Sequence, residues 1–324
     1  MRAALVRCYG PPEAIEITEL PDPQPGRGEL RIDVRAAAVN YPDVLIAANR
    51  YQVSAPLPLI PGSELAGVVS ALGEEVSGFA LGDAVTHVAL TGAFAERVVA
   101  NASRVVAMPP ELSFEQAAAF GVVYRTAYTA LCRVANARAG EWVAVLGAAG
   151  GVGSAAIAIA KHLGCRVAAI ASSDAKRAAC RAWGADAAIE AEPASLRDAI
   201  REATGGGADV VLDPVGGAVS EPALRALRWG GRFVTLGFAS GEIPRIPLNL
   251  VLLKGIQLLG LDLRALGERA PDALAQDAEA MRALVSAGLR PHVGERFTLD
   301  QTAAALRCVA DRRAIGKVVI GVAG

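Results

Sequence analysis

Two patterns of hydrophobic and polar positions divide the chain. Up to about residue 120, apolar positions alternate in short valine-rich runs: residues 30–39 (LRIDVRAAAV), 65–73 (LAGVVSALG), 83–90 (DAVTHVAL) and 93–100 (AFAERVVA). A period of two predicts half-buried strands. Pro21, Pro23, Pro25, Gly26, Gly28, Pro61, Gly62, Gly78 and Gly82 punctuate them, so this is a β-rich region with irregular connections. Over residues 113–131 the period becomes helical. Ser113 is placed to cap that helix, and Gln116 completes a capping box.

From Glu141 onward the pattern alternates. Strands are predicted at 142–147, 166–172, 186–190, 208–217, 232–238 and 255–261, with helices at 151–164, 174–184, 195–207 and 221–231. Strands of near-continuous Val, Ile, Leu and Ala separated by helices mean a doubly wound parallel sheet of six strands, an α/β architecture. The tail adds helices at 272–287 and 299–310 and a last strand at 317–322.

Composition narrows the function. The 324 residues are enough for about two domains. With 53% hydrophobic residues the chain can fill a large core, which excludes global disorder. A net charge of −1 gives no long-range field to collect DNA or RNA, so no nucleic-acid partner is expected. The five cysteines form no C-x-x-C pair, and MRAALVRCYG lacks a signal-peptide core; both fit a cytoplasmic protein with reduced thiols. Residues 142–160 carry no charge and are long enough to cross a bilayer. Gly147, Gly150, Gly151 and Gly153 interrupt them, so strand, glycine turn and buried helix is the better reading, with no membrane span.

That turn, Gly147-Ala148-Ala149-Gly150-Gly151-Val152-Gly153, is the first chemical motif. It stands at a strand–helix junction, where free backbone N–H groups at a helix N-terminus bind a dinucleotide pyrophosphate. Its spacing is G-x-x-G-x-x-G rather than G-x-G-x-x-G. A cofactor without a 2′-phosphate usually meets an acid at the end of the next strand. Here that end reads Ala171-Ser172-Ser173, followed by Lys176 and Arg177, which suits the phosphate of NADPH. Ser173 also fits a plain helix cap, and Asp174 lies close by. His87, His162 and His292 are not spaced as zinc ligands with one another or with the cysteines, so no metal is expected.

These motifs resemble the zinc-independent quinone oxidoreductase branch, which includes zeta-crystallin, of the medium-chain dehydrogenase/reductase superfamily. The likeness runs over nearly the whole chain. It includes residues 36–52 (AAAVNYPDVLIAANRYQ), 57–69 (LPLIPGSELAGVV), 147–161 (GAAGGVGSAAIAIAK), LDPVGG at 212–217 and GKVVIG at 316–321. In zinc-dependent relatives the motif at Pro61-Gly62-Ser63-Glu64 carries a ligating histidine where Ser63 stands, and the ligating cysteine expected near Asn40 is absent here.

The resemblance implies a GroES-like domain, 1–123 with 262–324, and a Rossmann coenzyme-binding domain, 124–261, with the active site in the cleft between them. It places Asn40 and Thr126 near the nicotinamide, Asn40 also as a catalytic residue. Gly150, Gly151, Val152, Ser172, Ser173 and Lys176 would hold the cofactor phosphates. Gly147, Gly153, Val215, Phe238 and Lys317 complete the implied cofactor set. Tyr51 aligns with a tyrosine of the substrate cleft that is a candidate proton donor in enoyl-thioester reductases; a tyrosine that only shapes the cleft fits equally. Two departures stand out. Ala191 replaces a tyrosine that in many relatives reaches the 2′-phosphate region. Arg125 replaces a glycine beside the nicotinamide contact, and either recognises an anionic substrate or points away.

Quinones and conjugated carbonyls accept hydride without a metal because the charge delocalises over the acceptor. The expected activity is therefore NADPH-dependent reduction of a quinone. Reduction of an activated C=C bond in an enone or enoyl thioester uses the same parts, and a non-catalytic, crystallin-like NADPH-binding protein is the alternative outside catalysis. The apolar sixth strand, 255–261, is an edge that must be paired or covered, and pairing with its twin would make a homodimer.

Overall fold

The structure, a computed structural model, describes residues 1–322. In chain order its elements begin with β1 (Arg2–Val6), β2 (Ile15–Glu19), β3 (Glu29–Val39), α1 (Tyr41–Ala47), β4 (Glu64–Leu72), β5 (Ala84–Val88), β6 (Arg97–Asn101), β7 (Val105–Ala107) and α2 (Phe114–Ala118). Next come α3 (Val123–Tyr128), β8 (Trp142–Leu146), α4 (Gly151–His162), β9 (Arg166–Ala171), α5 (Asp174–Ala182), β10 (Ala187–Glu190), α6 (Pro193–Thr204), β11 (Ala208–Asp213) and α7 (Ser220–Arg225). The chain closes with β12 (Leu227–Thr235), α8 (Leu248–Lys254), β13 (Gln257–Gly260), α9 (Leu263–Arg269), α10 (Pro271–Ser286), β14 (Val293–Thr298), α11 (Thr302–Ala310) and β15 (Lys317–Gly321).

Two compact units result, Met1–Val122 with Arg290–Gly324, and Val123–Leu289. The first holds a mixed sheet in the order β14-β15-β3-β4-β5-β7, with β6 also pairing β3, and the separate β1-β2 hairpin. The C-terminal strand enters this sheet by pairing antiparallel to β3, Val318 opposite Val39, while Ala38 stands opposite Glu64 of β4. The ends of three strands distant in sequence therefore meet where β3 hands over to α1.

The second unit is a six-stranded parallel sheet in the order β10-β9-β8-β11-β12-β13. Every residue of β8 and β11 is buried, so the apolar runs read as central strands covered on both faces. The strand order reverses between β8 and β11, which sets the switch point at the carboxyl end of β8.

Three expectations are corrected, and two helices are added. The helix expected over 113–131 is broken: α2 ends at Ala118, and α3 begins at Val123 and runs into a π-helical turn, Thr129–Val134. The break has a cause, because Glu64 takes the Val122 N–H at 2.8 Å and a Cβ at Gly121 would lie 2.7 Å from the Val88 side chain. The helix expected over 221–231 stops at Arg225, since Leu227 already pairs with Ala208 and the ladder then bulges around exposed Trp229. Helices α8 and α9 were not foreseen. Finally, residues 262–289 belong with the parallel-sheet unit rather than the mixed sheet. Asp277 of α10 anchors them there, accepting from Thr129 Oγ1 at 2.8 Å and Arg133 Nη2 at 2.8 Å.

Candidate active site

The glycine turn follows central β8 and opens α4. Gly147 has φ +59°, a left-handed conformation that favours glycine. A Cβ at Gly153 would lie 2.4 Å from Gly147 O, so this glycine lets α4 approach the strand end. The N-cap is Gly150, with no side chain to satisfy the first turn of α4. Those N–H groups, with the positive end of the helix dipole, form an anion cradle a larger residue would fill. The residues present thus fit a dinucleotide pyrophosphate.

Val215 borders the same turn, and Phe238 borders the Gly216 turn that follows Val215. A Cβ at Gly147 would come 2.8 Å from Val215 Cγ2, and one at Gly216 would come 2.9 Å from Phe238 Cδ1. Asp213, which the sequence reading did not single out, organises this corner: its buried Oδ1 accepts from the N–H groups of Val215 and Gly216, both at 2.8 Å. A cleft of about 710 Å³ opens beside Gly217, lined by Glu221, Arg225, Glu242 and Arg245 among others. None of its lining residues is an expected site residue.

At the end of β9, Ser172 and Ser173 are exposed, and Ser173 Oγ caps α5 by accepting from Lys176 N at 3.4 Å. Arg177 is committed to Asp174 at 2.6 Å and to Ala171 O at 3.3 Å, with Glu190 at 3.7 Å. Thr126 and Arg125 sit on α3, which packs along α4.

The first unit places a buried polar cluster where β3, β4 and β15 meet α1. The amide of Asn40, N-cap of α1, donates to Glu64 Oε1 at 2.8 Å and to Ser63 Oγ at 3.2 Å. Lys317 Nζ donates to Val39 O at 2.9 Å, Asn40 Oδ1 at 2.7 Å and Glu64 Oε1 at 2.9 Å. Lys317 is 2% exposed, and its three ammonium protons all go to protein oxygens. That leaves no donor for the expected cofactor contact, so its place here is to hold Asn40 and Glu64. Asn40, 5% exposed, directs both amide hydrogens inward and presents no donor to a substrate in this arrangement.

Asp43, buried beside them, accepts from Asn40 N at 2.7 Å. Desolvation pushes its carboxyl up to about 7 and Glu64 adds to the rise, while the Asn40 N–H, the Ser63 hydroxyl and Lys317 pull it down. Asp43 and Glu64 stand inside quoted motifs, yet their meeting around Asn40 needs the sheet register to be seen. Zinc does not fit this donor set, which offers an amide, a hydroxyl and carboxylates, with an ammonium among them in place of thiolate or imidazole.

Tyr51 is half-buried against a small cluster of Val6, Ile46, Ala47, Ala55 and Leu59. It follows α1, whereas Asn40 precedes it, so the two lie at opposite ends of a helix roughly 10 Å long.

Comparison with known proteins agrees with this construction. Residues 26–110 match the alcohol dehydrogenase GroES-like domain, and residues 151–279 match the zinc-binding dehydrogenase domain. Quinone oxidoreductase-like protein 2 of Mus musculus is 35% identical over 98% of this chain and 91% of its own length. The quinone oxidoreductase of Thermus thermophilus, solved also in complex with NADPH, is 35% identical with a TM-score of 0.85, covering 99% of this chain and 100% of that one. The CurK enoyl reductase is 27% identical with a TM-score of 0.88, covering 99% of both chains. The chain is an oxidoreductase of the medium-chain dehydrogenase/reductase superfamily. Within it, the chain belongs to the quinone oxidoreductase branch.

Proposed function

We propose that the enzyme is a zinc-independent reductase that uses NADPH to reduce a quinone. The observation that carries the reading is the end of β9. It offers Ser172, Ser173 and Lys176, with the neighbouring Asp174 carboxylate held by Arg177 at 2.6 Å, beside a glycine turn shaped for a pyrophosphate. NADPH, when bound, supplies a hydride to the acceptor. The chain's part is to bind and orient: Gly147, Gly150, Gly151, Val152 and Gly153 hold the pyrophosphate, and Ser172, Ser173 and Lys176 hold the 2′-phosphate. Val215, Phe238 and Thr126 flank the nicotinamide end. To the acceptor we assign Tyr51, as a proton donor or a residue that shapes its site, and Arg125. Quinones need positioning more than acid catalysis, which fits a site without a metal.

A homodimer completes the reading. Strand β13 is the sheet edge, and Leu248, Leu252 and Leu253 of α8 with Trp229 leave a large apolar surface beside it. The free cysteines, three of them buried, suit a reducing cytoplasmic setting.

The second reading, reduction of a conjugated C=C bond, is favoured by the likeness to the enoyl reductase. The test is NADPH oxidation by the purified protein with an ortho-quinone, a para-quinone, an enone and a short enoyl-CoA, each repeated with NADH. Fast quinone turnover with NADPH alone is expected. Preference for the thioester would transfer the assignment to C=C reduction with Tyr51 as acid.

A further inference from the structure

We propose that Asp213 is a positioning residue for hydride transfer: its carboxylate fixes the loops after β11 and β12 as one body, and that body sets the nicotinamide ring; this rests on the NADPH reading above. Asp213 is the last residue of β11, the strand across the switch point from β8 and its glycine turn. A dinucleotide lies across that crevice, one half over each half of the sheet. Ser172, Ser173 and Lys176 are assigned to the adenosine half, and β8 separates their strand, β9, from β11. The carboxyl ends of β11 and β12 therefore face the nicotinamide half.

Asp213 is fully buried, and its carboxylate closes the turn from both ends. Oδ1 accepts from Val215 N and Gly216 N, both at 2.8 Å, where the chain leaves β11. Oδ2 accepts from Ser220 Oγ at 2.5 Å, where the chain enters α7. Between them Gly216 and Gly217 have φ of +70° and +65°, left-handed conformations that favour glycine.

The turn is stitched to the loop after β12. Ala239 N donates to Pro214 O at 3.1 Å, Ser240 N to Val215 O at 2.8 Å and Gly217 N to Glu242 O at 3.1 Å. Phe238 rests on the turn as well, since a Cβ at Gly216 would lie 2.9 Å from its Cδ1. On the other side Val215 packs across the switch point, its Cγ2 2.8 Å from where a Gly147 Cβ would stand. One buried carboxylate thus fixes Val215 against the pyrophosphate turn and Phe238 against Gly216. Phe238 is 39% exposed and Val215 half-buried, so both keep surface for a ligand. Asp213 itself is out of a ligand's reach and acts through these two.

The experiment is calorimetric titration of the protein with NADPH and with 2′-phospho-ADP-ribose, the same molecule without its nicotinamide ring. Wild type is compared with Asp213→Ala, Asp213→Asn and Ser220→Ala, each checked for folding by circular dichroism. Wild type should bind NADPH more tightly than the fragment. Asp213→Ala should weaken NADPH roughly tenfold, because buried N–H groups lose their acceptor, while fragment affinity stays within about twofold. Asp213→Asn, whose Oδ1 can still accept from both N–H groups, should recover most of that loss. Misplacing the ring by about 1 Å can cost roughly 100-fold in rate, so Asp213→Ala should lower kcat with little change in KM for an ortho-quinone. Should Asp213→Ala not fold, Ser220→Ala decides, by a loss of about threefold confined to NADPH. Equal loss of both ligands in a folded variant, or no loss of either, overturns the inference alone. A wild type that binds the fragment as tightly as NADPH does the same. A wild type that binds neither overturns the NADPH reading, and the positioning role with it.

Discussion

Lys317 and Asn40 lie 277 residues apart, yet the lysine ammonium donates to Asn40 Oδ1 at 2.7 Å. The register of β15 against β3 makes this meeting unavoidable, since Val318 opposite Val39 brings the preceding lysine beside the following asparagine. The same ammonium neutralises Glu64, whose other oxygen takes the Val122 N–H in the break between α2 and α3. A residue that the family resemblance assigns to the cofactor is thus a fastener of the mixed sheet.

Replacing one partner of this pair should be costly. Lys317→Met leaves Glu64 buried without its cation, and such a break costs about 3–5 kcal/mol. Urea denaturation is the check. The double variant Lys317→Met/Glu64→Gln should recover part of the loss, because no unpaired charge remains.

Gly153→Ala should injure cofactor binding and packing together. The added methyl would meet Gly147 O at 2.4 Å and Ala148 Cα at 2.5 Å, both backbone atoms. Overpacking of this kind costs roughly 1–3 kcal/mol, and the shift falls on the phosphate cradle. Fluorescence titration with NADPH should show weaker binding, while an alanine at exposed Gly260, where an added Cβ meets nothing within 4 Å, should leave affinity close to wild type.

Stability should depend on pH through Asp43. Its folded carboxyl is raised from 3.8 to about 7. The contribution is therefore fully present below about pH 4 and is lost as pH rises through about 7, at most roughly 4 kcal/mol at about 1.36 kcal/mol per pH unit. Asp43→Asn, which cannot ionise, should flatten that part of the stability curve between pH 4 and 8. An unchanged slope would show that Asp43 is charged throughout.

The edge strand gives a test of assembly. Leu258→Lys together with Leu252→Glu places charges on β13 and on α8, where Leu252 is 81% exposed. Light scattering should report a dimer for wild type and a 33.2 kDa monomer for this variant. A wild-type monomer would leave the apolar edge to another cover.

The parallel sheet was legible because its strands are apolar on both faces and its glycines mark the strand–helix turn, both local signals. The helix through 113–131 was misread for the opposite reason. Its residues are helical in pattern, and what breaks it is the Glu64 carboxylate, 58 residues away. The strand at 227–231 was hidden by helical composition, because the pairing of Leu227 with Ala208 outweighs local preference. Asn40 was singled out by motif, but its inward-facing amide, held by Lys317, could be seen only in three dimensions. Asp213 carried a signal, an acid directly before a Pro-Val-Gly-Gly turn, where a side-chain carboxylate can take the N–H groups of the next residues.

The most direct test of the central claim is hydride tracing. NADPH carrying deuterium on the transferred face of nicotinamide C4 is mixed with the enzyme and an ortho-quinone under single-turnover conditions. The account predicts stoichiometric hydroquinone and a slower rate with the deuterated cofactor. No hydroquinone from the quinone, with the deuterium delivered instead to an enoyl thioester offered in a parallel mixture, would contradict it.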